Sequence, residues 1–202
     1  MSCQRLLIGT SNVGKLGELR SLLTGLPLEL LSLPDFPNIE SVEETGSTFA
    51  ENAALKASGY ARQAGVVTLA DDSGLAVDQL KGRPGIHSAR YVHPGVSYPE
   101  RVASLLAELA GVAGQDRTAR FVCAMAVASG GGEILFTTEK SCEGRIAAAP
   151  RGTGGFGYDP IFVPVGYDQT FAELPAEIKN RISHRALALQ AVREFVGALT
   201  TL

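Results

Sequence analysis

The chain has 202 residues, with 18 Lys and Arg against 21 Asp and Glu, a net charge of −3, 45% hydrophobic residues and 19% charged ones. That length suits one large domain, or one domain in two lobes, and the composition is that of an ordinary globular protein. The acidic balance argues against a general nucleic-acid binder, which would be basic, but leaves room for one anionic ligand held by a few local cations.

Three scattered cysteines, Cys3, Cys123 and Cys142, show no Cys-x-x-Cys spacing and fit a reducing compartment better than a disulfide framework. Cys123 lies in an apolar run and reads as a small core residue. No charged-then-apolar leader opens the chain, and no run approaches the ~20 apolar residues of a membrane span. A cytoplasmic protein with no membrane contact is the expectation.

In chain order, Arg5 to Thr10 reads as a buried strand, ended by Ser11 and Asn12, both good N-cap residues. Leu16, Leu19, Leu22 and Leu23 follow at helical spacing, and Gly25 with Pro27 stops that helix. Leu28 to Leu33 is a second short strand, and a polar loop with Glu40, Glu43 and Glu44 runs from 38 to 46. Ser47 to Ala64 reads as a helix capped by Ser47, with Gly65 as the residue that ends it. Val66 to Ala70 is an apolar strand that runs into Asp71 and Asp72, after which Ser73 and Gly74 are expected to turn the chain.

The Gly- and Pro-rich segment 81–96 reads as a loop and Pro99 to Leu109 as a helix. Thr118 to Ser129 and Glu133 to Arg145, joined by three glycines, read as a β-hairpin. Gly152 to Tyr158 is a glycine-rich loop, Ile161 to Val163 a short strand, and Pro175 to Leu199 mostly helical. With no repeat, low-complexity tract or linker, residues 1–202 read as one mixed α/β domain.

Four stretches could carry chemistry. Thr10-Ser11-Asn12-Val13-Gly14-Lys15 joins a strand to a helix, whose N-terminus offers unpaired N–H groups to phosphate. Lys15 opposes the helix dipole there, which a polyphosphate would explain, although a solvated lysine is the commoner reason. The stretch is not a P-loop, since Gly-x-x-x-x-Gly-Lys-Ser/Thr is missing. The acids Glu43, Glu44, Asp71 and Asp72 form the second set, and magnesium prefers one or two such carboxylates plus waters and substrate phosphates. Adjacent residues of a strand point to opposite faces, so only one of Asp71 and Asp72 can face a given ligand. Gly74 would let a ligand approach Asp72 closely.

The third stretch, Gly152 to Pro160, surrounds Phe156 and Tyr158 with glycine and suits a planar partner, since a base stacked on an aromatic ring gains about 1–3 kcal/mol. In the fourth, Lys179 to Arg185, Ser183 reads as an N-cap that places His184 and Arg185 in a first helical turn, where an anion or a base edge would suit them. His87 and His93 show no ligand spacing, and no Ser-His-Asp order is present.

Taken together and in order, these stretches resemble the inosine triphosphate pyrophosphatase family. The matching pieces are Thr-Ser-Asn-Val-Gly-Lys (10–15), Glu-Glu-Thr-Gly-Ser-Thr-Phe-Ala-Glu-Asn-Ala (43–53), Ala-Asp-Asp-Ser-Gly-Leu-Ala-Val-Asp (70–78) and Gly-x-Pro-Gly-Ile-x-Ser-Ala-Arg-Tyr (82–91). Gly-Thr-Gly-Gly-Phe-Gly-Tyr-Asp-Pro (152–160) and Lys-Asn-x-Ile-Ser-His-Arg (179–185) complete them. Ser11 and Ala186 stand where the family often has Gly.

The resemblance implies a mixed α/β sheet in two lobes with flanking helices, a deep active-site cleft between the lobes, and a homodimer. It implies Mg2+-dependent hydrolysis of ITP, dITP and XTP to the monophosphate and pyrophosphate, which clears deaminated purines from the nucleotide pool. Carried over by motif, Asp72 is the general base and holds the metal with Glu43. Thr10, Ser11, Asn12, Val13, Gly14 and Lys15 hold the triphosphate with Lys56, and Ser73 touches substrate. Phe156, Gly157, Tyr158, Asp159, Lys179, His184 and Arg185 hold base and sugar. A pyrophosphatase for pyrimidine or modified nucleotides and a non-catalytic nucleotide-binding module are the alternatives.

Overall fold

A computed structural model of the protein describes residues 4–199. The described elements are β1 (Gln4–Ile8), α1 (Val13–Leu23), β2 (Leu28–Ser32), α2 (Phe49–Ala64), β3 (Val67–Val77) and α3 (Tyr98–Glu108). After them come β4 (Thr118–Ala128), β5 (Ile134–Ile146), β6 (Phe162–Pro164), α4 (Ala176–Ile182) and α5 (His184–Leu199). The strands form one sheet in the order β2-β1-β3-β4-β5-β6. β1 runs parallel to both β2 and β3, while β5 and β6 are antiparallel. The expected mixed α/β fold is therefore present.

Parallel neighbours need a crossover, and α1 and α2 supply it from β1 to β2 and from β2 to β3. α1 is capped by Asn12, whose side chain accepts from Lys15 N at 3.1 Å. α2 is capped by Thr48 rather than Ser47: Thr48 Oγ1 accepts from Glu51 N, and the Glu51 carboxylate reaches back to Thr48 N and Ser47 N. That reciprocal box needs Glu at the third helical position, and Glu51 stands three residues after Thr48. Gly65 closes the helix, donating to Ala61 O at 2.8 Å.

The chain divides into two compact units, the first comprising 1–72, 123–140 and 185–202, the second 73–122 and 141–184. In the first, Leu6, Ile8, Leu69, Cys123 and Met125 pack with Leu19 and Leu23 of α1 and Leu189 and Val192 of α5. On the other side of these strands, Ala70, Ala124 and Ala126 pack against Ala53, Ala57 and Ala61 of α2. In the second unit, Phe121, Phe162 and Phe171 are in mutual ring contact at 4.6 to 6.1 Å, within a core that also takes Leu75, Val102, Leu105 and Tyr158. Burying each such ring contributes roughly 1.5–3 kcal/mol.

The expected hairpin between β4 and β5 is closed by Ser129 N donating to Glu133 O at 2.8 Å. Two further expectations need correction. Ser73 and Gly74 do not turn the chain, because β3 continues through them to Val77. Gly74 is needed for packing within the chain: a Cβ there would overlap the Gly85 carbonyl and the Ser88 hydroxyl, so its space is already taken. The segment 81–96 is also more regular than a loop, with a 3-10 turn over Gly85–Arg90.

Candidate active site

β3 is the element that positions the chemistry. Its pairing with β1 runs from Leu6↔Val67 to Ile8↔Leu69, with Gly9 N donating to Leu69 O as a last contact. β1 then stops, while β3 carries on into Asp71 and Asp72. The two carboxylates thus stand past the carboxyl end of a parallel neighbour, where open α/β sheets place their ligands. Side chains alternate along the strand, so Asp71 shares the face of Leu69 and Asp72 the face of Ala70. Leu69 packs toward α1 and α5, and Ala70 packs toward α2. The face of the strand therefore decides what each carboxylate meets.

On the α2 side, Asp72 accepts from Asn52 Nδ2 at 3.2 Å and lies 3.4 Å from Lys56 Nζ. Lys56 also reaches Glu44 at 2.6 Å, so one ammonium sits between two carboxylates. Asn52 is fully buried, and its Oδ1 accepts from Gly46 N at 2.8 Å, which fixes the loop that carries the acids. Burial pushes the Asp72 carboxyl above its ordinary value, and Glu44 adds to this while Lys56, Lys15 and Asn52 oppose it. A more basic carboxylate is a better proton acceptor. Burial would lower the Lys56 ammonium, but Asp71, Asp72 and Glu44 outweigh it and keep the side chain charged.

On the other face, Asp71 has no exposed side-chain surface and pairs with Lys15 Nζ at 3.0 Å and with Arg185 Nη2 at 3.5 Å. Arg185 also bonds Glu18 of α1. Burial alone would raise the Asp71 carboxyl, but Lys15, Arg185 and Lys56 together hold it well below the usual carboxylate range. Cys123 lies in the same core, where burial pushes its thiol up to about 12, so it stays protonated and unreactive as expected of a core residue.

At the start of α1, Asn12 N donates to Thr10 Oγ1 at 3.2 Å, which sets the bend between strand and helix. Ser11 and Val13 are exposed, Val13 at 82%, while Thr10, Asn12, Gly14 and Lys15 are half-buried. Lys15 N is already taken by the Asn12 side chain, so an anion here would be met by the N–H groups of Val13 and Gly14.

The second unit holds the aromatic set. Phe156 is half-buried, and its N–H donates to Asp159 Oδ2 at 2.8 Å. Lys179 Nζ meets the same oxygen at 2.5 Å and lies 4.9 Å from the Phe156 ring centroid and 5.7 Å from that of Phe171. Gly155, at φ 68°, must be glycine, since a Cβ would collide with the Asp159 carboxylate. Tyr158 is buried, donates to Ser88 O at 3.1 Å and takes the edge of Tyr98 at 5.7 Å. His184 is buried and stacks on Phe121 at 4.7 Å with an interplanar angle of 11°. Ser73 is half-buried on β3.

The structure therefore brings Lys15, Lys56, Asp72 and Arg185 together in the first unit, and Phe156, Tyr158, Asp159, Lys179 and His184 in the second. Arg185, expected to stand with the base-holding residues, is placed among the charges around Asp71. Glu43 is exposed, and Glu44 is the acid that reaches Lys56. Sequence reasoning missed Asn52. The signal was its place four residues before Lys56 on one helix face, where a buried amide needs a partner.

Magnesium suits this donor set. Glu44 and Asp72 present hard carboxylate oxygens, and the Lys56 ammonium between them shows that the spot favours a cation. Among the described residues no three His, Cys, Asp or Glu side chains form a cage. An ion here would complete its shell with waters and phosphate oxygens.

The model of the Ham1 family matches residues 6–195. Curated relatives include the dITP/XTP pyrophosphatase of Geobacter sulfurreducens, 49% identical over 96% of each chain, and that of Symbiobacterium thermophilum, 52% identical over 98% of each. Among solved structures, a HAM1 protein from Coxiella burnetii superposes with a TM-score of 0.87 at 37% identity, covering 96% of this chain and 98% of its own. The Staphylococcus aureus Ham1 protein gives a TM-score of 0.85 at 35% identity, covering 96% and 99%. The resemblance that the ordered motifs carry is thus borne out across nearly the whole length, and the chain belongs to the Ham1 family.

Proposed function

We propose that this protein hydrolyses deaminated purine nucleoside triphosphates, namely ITP, dITP and XTP, to the monophosphate and pyrophosphate, and so cleanses the nucleotide pool. The observation that carries the reading is Asp72, raised in basicity by burial and held between Asn52 and Lys56 beyond the end of β1. Relatives named dITP/XTP pyrophosphatase at about half identity support the substrate class.

Asp72 accepts the proton of the attacking water as the water oxygen bonds to phosphorus. The bridging bond between α- and β-phosphate breaks, and pyrophosphate leaves. The Thr10–Lys15 segment binds the triphosphate through helix N–H groups and the Lys15 ammonium, with Lys56 close to the reacting end. Magnesium, held by Asp72 and an acid of the 43–44 pair, would neutralise charge on the leaving pyrophosphate.

In the second unit the Phe156 ring stacks on the purine, with Gly157, Tyr158, Asp159 and Lys179 forming its support. His184 donates to the 6-oxo group of hypoxanthine or xanthine. The 6-amino group of adenine would leave that donor unpaired, a loss of roughly 1–3 kcal/mol. Ser73 touches substrate beside Asp72. The proposal extends to residues 1–202 acting as one pyrophosphatase domain, as a cytoplasmic homodimer that binds no nucleic acid. No described helix is long and apolar enough to cross a membrane.

The test is pyrophosphate release with magnesium from ITP, XTP, dITP, ATP, GTP and dTTP, by the wild type and by Asp72→Asn. Fast release from the first three, lost in Asp72→Asn while the variant stays folded and binds nucleotide, is the expected result. Orthophosphate in place of pyrophosphate would show that a different bond is cleaved.

A further inference from the structure

Asp71 is a fully buried charged side chain to which the reading above gives no task. Asp71 and Asp72 are neighbours in sequence, yet β3 sends them to opposite faces of the sheet. Asp72 goes to Asn52 and Lys56 of α2. Asp71 goes to Lys15 at the start of α1 (3.0 Å) and Arg185 at the start of α5 (3.5 Å). These two cations are 170 residues apart in sequence and reach one carboxylate because Leu69, on the same strand face, packs against both helices. Glu18, one turn along α1 from Lys15, bonds Arg185 as well and ties α1 to α5.

A lysine in a first helical turn works against the helix dipole and has long, loose rotamers. A carboxylate fully shielded from water is a fixed anchor that offsets both. We propose that Asp71 is a positioning residue: backed by the buried Arg185 as its second cation, it orients Lys15 toward the triphosphate, and it takes no part in holding magnesium. This rests on the triphosphate reading above and adds to it the residue that sets the geometry of the phosphate end. The two adjacent aspartates then have separate tasks, one acting on water and metal and the other holding cations in place.

The experiment is equilibrium binding, by calorimetry, of inosine 5′-(α,β-methylene)triphosphate, which is not hydrolysed. It is run in magnesium and in EDTA for wild type, Asp71→Asn, Lys15→Met and the double variant, each checked for folding by circular dichroism. Asp71→Asn is expected to weaken binding by roughly tenfold, by the same factor in magnesium and in EDTA. In the Lys15→Met background the same change should cost less than about threefold, because its effect passes through the lysine.

A loss confined to magnesium would make Asp71 a metal ligand and overturn the proposal. An equal loss in both lysine backgrounds would also overturn it, since Asp71 would then not act through Lys15. Should Asp71→Asn not fold, Lys15→Arg puts the question from the other partner by keeping the charge and changing its geometry. A tenfold loss supports positioning, and unchanged affinity sinks it. Failure of the wild type to bind the analogue at all would remove the triphosphate reading and this inference together, whereas binding with additive effects removes only the inference.

Discussion

Replacing Lys179 with Met tests whether the Asp159–Lys179 pair organises the aromatic loop. The side chains of Lys179 and Asp159 are only 7% and 4% exposed, so both charges are out of water. Removing one partner of such a pair leaves a buried charge behind, which costs roughly 3–5 kcal/mol, whereas removing both is often close to neutral. Lys179→Met is therefore expected to destabilise by that amount, a large share of the ~5–15 kcal/mol that holds a typical domain together. With a urea slope of about 2 kcal/mol/M, the unfolding midpoint should fall by about 1.5–2.5 M. Adding Asp159→Asn, which keeps the shape and removes the stranded charge, should recover most of the loss. The assay is urea unfolding followed by tyrosine fluorescence and circular dichroism. A midpoint for Lys179→Met within 0.3 M (on the order of 0.6 kcal/mol) of wild type would refute the argument. So would a double variant no more stable than the single one.

Tyr158→Phe removes the hydroxyl that donates to the Ser88 carbonyl in a buried setting. A loss of about 1–3 kcal/mol is expected, read as a fall in Tm of roughly 2–4 °C per kcal/mol, and an unchanged Tm would show that the carbonyl has another donor. A second expectation concerns pH. Asp72 must be ionised to accept a proton, and in the metal-free site burial holds its carboxyl above the ordinary value. Lys56 pulls that value down and Glu44 pushes it up. The Asp72 carboxyl, followed by NMR in the absence of magnesium, should therefore titrate at higher pH in Lys56→Met and at lower pH in Glu44→Gln. Identical titrations in both variants would refute this electrostatic account of Asp72.

Much of this protein is legible one element at a time. Leucines at helical spacing after Ser11-Asn12 announce α1, and Asn12 is the cap. The β-branched run before Asp71 announces β3, and three glycines announce the turn from β4 to β5. Each of these is a short-range matter of periodicity, capping or turn chemistry, and it survives whatever the rest of the chain does. The ordered motifs from Thr10 to Arg185 carried the family in the same way, because residue types at fixed spacing can be read without coordinates.

Other features depend on which segments are neighbours in space. Strand alternation alone requires Asp71 and Asp72 to part. Only the packing of α1 and α5 on one face and α2 on the other decides that Asp71 meets Lys15 and Arg185 while Asp72 meets Asn52 and Lys56. In sequence, Asp71–Arg185 and Asp159–Lys179 are contacts across 114 and 20 residues. No local rule links such positions, since their pairing follows from strand order and register. The same holds for Gly74, where turn chemistry suggested a bend or a ligand and a neighbouring backbone already fills the space. Periodicity, caps and motif spacing supply most of the elements and the chemical groups available, while packing settles which charge answers which, because charges pair through space and burial sets how strongly.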